Sequence, residues 1–349
     1  MYDIGIVGMG PAGATLARLL GEKYKVLVVD RKQPDAEYGK CCGGLLALDA
    51  QKSLAKFSLT LPRDILVTPQ IFAVRTIDLR YPLERYYQRF YVNLDRGKFD
   101  NWLASLIPPS VTVLRGALCK SVKRVSGGFA LTVQQGGEIH TYGVKALVGA
   151  DGAGSLTRRA FFPDKGGIRR YVAIQEWYEG DKMDPFYASV FDPEITDCYC
   201  WTIHKEGRLV VGGAFPQQNA TRRFQLLKEK LKQRGYRFGH RVRREGCLVY
   251  RPGGMGSFAT ARDRAFLVGE AAGFISPSSL EGLSYAMDSG YLLARALEPG
   301  LHGAETRYTA STRGIRLGLL SKHLKVPFMY QPLLRRLVMR SGLDSIHMA

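Results

Sequence analysis

Near the start of the chain the apolar positions fall in two short unbroken runs, Asp3-Ile-Gly-Ile-Val7 and Lys25-Val-Leu-Val-Val-Asp30, with a helically spaced segment, Ala14–Leu20, between them. Unbroken runs of this length predict strands buried on both faces, and the 3.6-residue period predicts a helix, so the region reads as a βαβ unit of a parallel sheet. Ala146-Leu-Val-Gly149-Ala-Asp151-Gly152 and Arg264-Ala-Phe-Leu-Val-Gly269-Glu270-Ala-Ala-Gly273 repeat the form of an apolar strand ending in a glycine-rich turn. The second leads through Pro277, Glu281, Gly282 and Leu283 into a small-residue helix over 284–294. Residues 60–95 break the rhythm, because Tyr81, Tyr86, Tyr87, Phe90 and Tyr91 make the stretch aromatic and irregular. The segment 221–235 is expected to be a surface helix with Phe224, Leu227 and Leu231 on one side.

With 349 residues, 46% hydrophobic and 23% charged, the composition is that of one large globular domain or two closely joined ones, which excludes disordered and fibrous chains. No run approaches the roughly 18 apolar residues of a membrane-spanning helix, so none is expected. Six cysteines and no charged-then-apolar leader point to the reducing cytoplasm rather than to a secreted disulfide scaffold.

The formal charge of +19 changes the picture, since it favours an anionic partner over a neutral one. It is concentrated: residues 221–244 carry ten Lys/Arg and one acid, and 306–349 carry eight and one. Zinc-finger spacing, ribonucleoprotein aromatics and a helix-turn-helix are all missing, so nucleic acid is not expected. Residues 316–325 and 333–340 mix leucines with basic residues at near-helical spacing, as an interfacial helix does and as a helix packed on its own domain also does. An anionic membrane surface, met from its inner face, is therefore a candidate partner beside a plainly solvated basic surface.

The first βαβ unit carries the clearest chemistry. Gly8, Gly10 and Gly13, with Pro11 and Ala12 between them, form G-x-G-x-x-G between strand and helix; the three glycines suit a tight turn, close approach of backbone to a pyrophosphate, and close helix–strand packing. Asp30, followed by Arg31, ends the second strand where a carboxylate accepts hydrogen bonds from a ribose diol. A bound dinucleotide is expected. The cysteines have no trusted metal spacing with histidine, and Cys198 and Cys200 read as buried apolar groups. His204 is either a proton donor or a surface histidine, while His140, His240, His302, His323 and His347 fall in polar or basic surroundings.

Gly8/Gly10/Gly13 with Asp30, then Asp95-Arg96-Gly-Lys-Phe99-Asp100-Asn-Trp-Leu103, Gly149-Ala-Asp151-Gly152 and Gly269-Glu270-Ala-Ala-Gly273, resemble the FAD-binding set of the group-A flavoproteins, the para-hydroxybenzoate-hydroxylase fold. Within that class Lys40-Cys-Cys42-Gly43-Gly44-Leu and Tyr199-Cys-Trp201-Thr-Ile203 resemble the geranylgeranyl reductase branch, with its Cys-Gly-Gly turn beside the flavin and its Tyr-x-Trp-x-Phe-Pro substrate motif. Residues 42–51, 171–175, 269–276 and 279–282 are similar to the CbrA family, geranylgeranyl-reductase-like flavoproteins linked to colicin M tolerance. The resemblance implies an α/β fold: a discontinuous Rossmann-like FAD domain (1–68, 93–165 and 253–300), an antiparallel-sheet substrate domain (69–92 and 166–252), and a basic helical segment (301–349).

It further implies that Gly8, Gly10, Pro11, Ala12, Gly13, Asp30, Arg31, Arg96, Asp151, Gly152, Gly269, Glu270, Gly273, Pro277, Gly282 and Leu283 hold FAD. Cys42, Gly43 and Gly44 would border the flavin as the candidate catalytic turn, and Tyr199, Trp201 and Ile203 would line either a substrate tunnel or the core of the substrate domain. Three positions depart from the class: Glu270 where Asp is usual, Leu280 where Gly is usual, and Ile203-His204 in place of Phe-Pro. The activity so implied is reduction of an isoprenoid C=C bond by reduced flavin, at a site where the two sheets meet. A monooxygenase or halogenase acting on an aromatic or polyketide, and a non-catalytic flavoprotein that sequesters an isoprenoid carrier, are the alternatives. No second G-x-G-x-x-G is found, so the electron donor is expected to be visiting NAD(P)H or a redox protein.

Overall fold

The structure is a computed structural model that describes residues 1–33, 40–180 and 186–346; His347 lies outside them. The chain opens with β1 (Tyr2–Val7), α1 (Pro11–Leu20) and β2 (Val26–Asp30). Next come β3 (Leu45–Leu46), α2 (Leu48–Lys56) and the hairpin β4 (Ile71–Asp78) and β5 (Leu83–Asn93). Helix α3 (Arg96–Ser105) leads to β6 (Thr112–Arg115), β7 (Ala117–Val125), β8 (Gly128–Gln135) and β9 (Glu138–Gly149). After α4 (Leu156–Phe161) the strands β10 (Ile168–Glu179), β11 (Phe186–Phe191), β12 (Cys200–Lys205) and β13 (Arg208–Pro216) follow in order. Helix α5 (Ala220–Gln233) precedes β14 (Arg241–Pro252), β15 (Ala261–Arg262) and β16 (Ala265–Leu267). The chain ends with α6 (Leu283–Leu297), α7 (Ala304–Ser311), α8 (Arg313–Lys322), α9 (Val326–Tyr330), α10 (Pro332–Ser341) and β17 (Ser345–Ile346).

Two compact units share these elements: Met1–Tyr38, Phe99–Arg169 and Tyr250–Ser321 form the first, and Gly39–Lys98, Arg170–Val249 and Lys322–Ala349 the second. The boundaries at Arg169/Arg170 and Val249/Tyr250 fall within a few residues of the expected 165/166 and 252/253, but the first crossing comes about thirty residues before the expected 68/69. Residues from Lys40 onward join the second unit because β3 pairs with β5 and the Cys41 thiol reaches the Ala173 carbonyl. Nor do residues 301–349 stand apart. The Tyr308 hydroxyl donates to the Leu267 carbonyl at 2.9 Å in the first unit, whereas Arg335 is paired with Asp78 in the second.

In the first unit β6, β2, β1, β9 and β16 run parallel, in that order, and β8 and β7 continue from β9 as an antiparallel meander. Ile4, Ile6 and Val26–Val29 are fully buried, as strands covered on both faces require. Helix α1 begins with Pro11 at its first turn, where a missing N–H costs nothing. Its small residues let α6 approach closely: a Cβ on Gly290 would stand 2.6 Å from the Ala12 carbonyl oxygen.

The second unit is a sheet ordered β14-β10-β13-β12-β11-β4-β5-β17, antiparallel in its β10–β13–β12–β11 and β4–β5 pairings but parallel between β11 and β4. The aromatic stretch expected to be irregular instead holds the hairpin β4–β5, paired throughout but for one register shift between Ile71 and Ala73, because tyrosine and phenylalanine are strand formers that tolerate interleaved charges on a half-exposed face. Phe224, Leu227 and Leu231 of α5 are fully buried over Ile174, Val190, Cys200 and Val211. One face of β12 thus belongs to the core.

Candidate functional site

The carboxyl ends of β1, β2, β9 and β16 meet at one edge of the first unit, where open α/β sheets bind ligands. Gly8 there has φ +99°, and a Cβ on it would lie 2.5 Å from the Ala150 carbonyl oxygen. A Cβ on Gly13 would lie 2.1 Å from the Gly8 carbonyl oxygen, so α1 can seat on β1 only with glycine there. Gly10 differs, since a Cβ would meet nothing within 4 Å. Gly10 is also the N-cap of α1 and supplies no side-chain cap; Pro11 has no N–H and the Ala14 N–H is bonded to the Gly10 carbonyl, so the amides of Ala12 and Gly13 are the ones turned to an anion. Asp30 Oδ2 accepts the Met9 N–H at 2.6 Å and Oδ1 the Lys32 N–H at 2.7 Å. The carboxylate thereby ties the end of β2 to the glycine turn and keeps lone pairs for hydroxyl donors. Arg31 beside it is exposed.

Two further turns close the same edge. Asp151 Oδ2 accepts the Leu156 N–H at 2.7 Å and so fixes the start of α4, while its Oδ1 is buried with no hydrogen-bond partner among the described residues. Burial, the largest influence, raises its pKa. Glu270 Oε1 accepts the Tyr250 N–H at 2.8 Å, and its Oε2 is 3.9 Å from where a Gly152 Cβ would stand. The longer side chain than the usual Asp spans from the Gly269–Ala272 turn to the end of β14. Gly152, Gly269 and Gly273 all have positive φ; the Gly269 N–H donates to Ser289 Oγ and the Pro277 carbonyl accepts from Arg251. Gly282 caps α6 at Leu283, again without a side-chain cap.

Two substitutions probe these turns. Glu270→Ala strands the Tyr250 N–H and is expected to weaken FAD retention by about tenfold to a hundredfold, from the ~1.5–3 kcal/mol of a charged hydrogen bond, as read by flavin titration. Leu280 occupies φ +53°, so the left-handed backbone favoured by the usual glycine is kept at the cost of strain. Leu280→Gly is accordingly expected to raise stability by up to about 1 kcal/mol in urea unfolding.

In the second unit the structure brings together the two stretches quoted above. Gly43 sits against Ile203, whose Cδ1 would be 2.8 Å from a Gly43 Cβ, and Gly44, at φ +64°, sits on Lys205. The Gly44 N–H faces Cys42 Sγ at 3.4 Å. Alternation along β12 puts Trp201, Ile203 and Lys205 on one face and Cys200, Thr202 and His204 on the other. Of the expected tunnel residues, Ile203 is fully buried beneath Gly43, Trp201 is nearly so, and Tyr199 is half-buried. Trp201 lies over Gly212, donates its indole N–H to Gln175 Oε1 at 3.1 Å, and stacks at a tilt on Tyr199 with ring centroids 5.8 Å apart. His204, read as either a proton donor or a surface histidine, is half-buried on the face of β12 opposite Ile203.

Lys205 is the residue that sequence reasoning passed over. Its Nζ donates to the carbonyls of Leu94 at 2.7 Å and Gly44 at 3.2 Å, inside the protein. Burial pushes its pKa down to about 7, against the opposing pull of Cys42 and Asp95. Because the unfolded lysine holds its proton to about 10.5, stability rises with pH between about 7 and 10.5, by up to about 1.4 kcal/mol per unit. Urea unfolding of wild type and Lys205→Met should therefore diverge in favour of wild type as pH rises through that window; a constant difference would show an amine charged throughout. The clue in the sequence was the two-residue step 199-201-203-205.

Arg96, at the start of α3, belongs to the second unit. In the first unit, the buried Arg158 was also missed as an organiser: it donates to the carbonyls of Ala271 at 2.9 Å and Ser257 at 2.7 Å and holds the Glu270 turn from behind.

No protein-family model matches the chain. The fold is that of solved flavoproteins of the para-hydroxybenzoate-hydroxylase type. A geranylgeranyl bacteriochlorophyll reductase-like protein of Thermoplasma acidophilum matches with TM-score 0.77 and 20% identity over 95% of this chain and 87% of its own. PqsL of Pseudomonas aeruginosa, in complex with 2-aminobenzoylacetate, matches with TM-score 0.70 and 18% identity over 95% and 98%. A mutant of the flavin-dependent brominase Bmp2 matches with TM-score 0.71 and 19% identity over 97% and 93%. Within that fold the relationship is narrower. The chain is 44% identical over 347 residues to Protein CbrA of Escherichia coli strain HS, covering 99% of this chain and 94% of the relative. The same identity holds to Protein CbrA of Shigella sonnei strain Ss046, over 99% and 98%. The chain belongs to the CbrA family.

FAD is the group this fold implies, and the first unit fits it. Gly10 leaves open the space where a Cβ would stand, the first amides of α1 are uncapped, and Asp151 Oδ1 is an orphaned buried acceptor.

Proposed function

We propose that this chain is an FAD-dependent reductase that saturates a carbon–carbon double bond of an isoprenoid lipid. The observation that carries the reading is the seating of Cys42-Gly43-Gly44 on Ile203 and Lys205, since these stretches bear the likeness to geranylgeranyl reductases. Gly8, Gly10, Gly13, Asp30, Asp151, Gly152, Gly269 and Glu270 would hold the cofactor. Reduced FAD supplies a hydride when bound, and a proton completes the addition. The chain's own part is to bind and to shape. The α1 amides complement phosphate charge, and Asp30 offers lone pairs to ribose hydroxyls. Tyr199 and the edge of Trp201 offer a hydrocarbon chain an apolar surface that Gln175 holds in one orientation. Lys205 is a positioning residue: it gathers the Gly44 and Leu94 carbonyls and thereby fixes the Cys42 turn. Visiting NAD(P)H or a redox protein would supply the electrons.

The test is anaerobic. Holoprotein reduced with dithionite should be reoxidised on addition of geranylgeranyl or polyprenyl phosphates, followed by flavin absorbance. Flavin that stays reduced until air is admitted would favour monooxygenase or halogenase chemistry, and a lipid bound without any turnover would favour sequestration.

A further inference from the structure

The last helices are built inside out. In α10, Arg335 and Met339, four residues apart, face inward, while Leu333 and Leu337, also four apart, face outward and are 57% and 65% exposed. The inward arginine is matched by Asp78, to which its Nε donates at 2.7 Å, and its guanidinium lies over the Phe191 ring at 5.0 Å. Leu324 (74% exposed) and Phe328 (53%) beside and within α9, and Leu343 (68%) after α10, extend the outward apolar set. A helix that packs only on its own protein turns its leucines in, and here the opposite face is the one buried.

Charge says what covers these leucines. Lys325 and Arg340 are exposed among them, whereas Arg336 is half-buried with its guanidinium over the Tyr81 ring at 4.8 Å, and Asp344 is the sole acid in 322–346. A second copy of the chain meeting this face about a two-fold axis would bring the same basic residues against each other. An anionic phospholipid surface accepts both features: acyl chains take the leucines and headgroups take the basic residues. Among the described residues no helix is long and apolar enough to cross a membrane, so the contact is with the surface.

We propose that the outward side chains of α9, α10 and the two residues before α9 form a docking surface for an anionic phospholipid bilayer, with Leu324, Phe328, Leu333 and Leu337 entering the acyl boundary and Lys325 and Arg340 meeting the headgroups. This assignment does not depend on which reaction the protein performs.

The experiment uses the full-length holoprotein and vesicles of phosphatidylcholine with or without about 30% phosphatidylglycerol. Wild type should sediment with the anionic vesicles and not with the neutral ones, and its affinity should fall as salt is raised. Leu333→Ser/Leu337→Ser should bind at least about tenfold more weakly, and Lys325→Gln/Arg340→Gln about tenfold more weakly, with flavin content unchanged. As a check that survives poor behaviour of those variants, a tryptophan placed by Leu337→Trp should shift its emission to the blue on anionic vesicles and be quenched by brominated lipid. Equal binding to both vesicle types, unchanged binding by the leucine variant, or an unshifted tryptophan would overturn the proposal. A concentration-dependent dimer that the leucine variant abolishes would overturn it in favour of a second copy.

Discussion

Gly13→Ala is expected to abolish flavin retention, whereas Gly10→Ala is expected to weaken it in a chain that still folds. The two positions look alike in sequence and differ in what surrounds them. An alanine Cβ at Gly13 would stand 2.1 Å from the Gly8 carbonyl oxygen and 3.2 Å from Ala150 Cβ, with backbone on the first side and the sheet on the other. Relief requires α1 to lift from β1, and overpacking of this kind costs ~1–3 kcal/mol, here at the upper end because backbone rather than side chain must move. Displacing the first-turn amides by even part of an ångström then removes their hydrogen bonds to an anion, so FAD affinity should fall about a hundredfold or more. At Gly10 the Cβ meets nothing within 4 Å and the backbone, at φ −68°, is ordinary for alanine. Its methyl group fills cradle space instead, so the melting temperature of the apoprotein should hold while FAD affinity falls. Flavin titration and apoprotein melting on both variants check this pair. Equal flavin affinity in Gly10→Ala and wild type would place the cofactor elsewhere.

Arg335→Ala is expected to destabilise the second unit by about 3–5 kcal/mol, because it leaves a buried carboxylate without its cation. Asp78 is fully buried; its Oδ1 accepts the N–H groups of Arg80 and Tyr81, but its Oδ2 receives Arg335 Nε. The same guanidinium donates through NH1 to the Met329 carbonyl at 2.8 Å, so one residue fastens α9 and α10 to β4. Urea unfolding measures the loss, and limited proteolysis should cut within 322–346 first. A change below about 1 kcal/mol would mean that the pair behaves as a surface salt bridge.

The parts of the molecule that sequence reveals are those whose causes are local. The β1-α1-β2 unit was legible because apolar runs, a helical period and three glycines lie within thirty residues, and the structure places strand, helix and strand on them. Helix α6 was legible for the same reason, although it runs three residues beyond the expected end at 294. Hairpin β4–β5 was not, because its aromatic and charged residues alternate without a clean apolar face until β11 covers one edge. Lys205 was hidden more deeply: at the end of a strand it reads as a solvated cation, and its burial depends on carbonyls of Gly44 and Leu94, far away in sequence. The C-terminal helices show the limit of periodicity. Their spacing predicted a helix with leucines and basic residues, but only Asp78 on β4 decides that Arg335 goes inward and the leucines outward.

The most direct measurement for the reductase reading is a single turnover in heavy water: dithionite-reduced holoprotein is mixed anaerobically with geranylgeranyl diphosphate and the lipid is analysed by mass spectrometry. The expected product is heavier by about two deuterons per bond reduced, formed in step with flavin reoxidation, since one enters as hydride and one as proton and both exchange with solvent. Recovery of the lipid at its starting mass while the flavin is reoxidised, or only after oxygen is admitted, would contradict it.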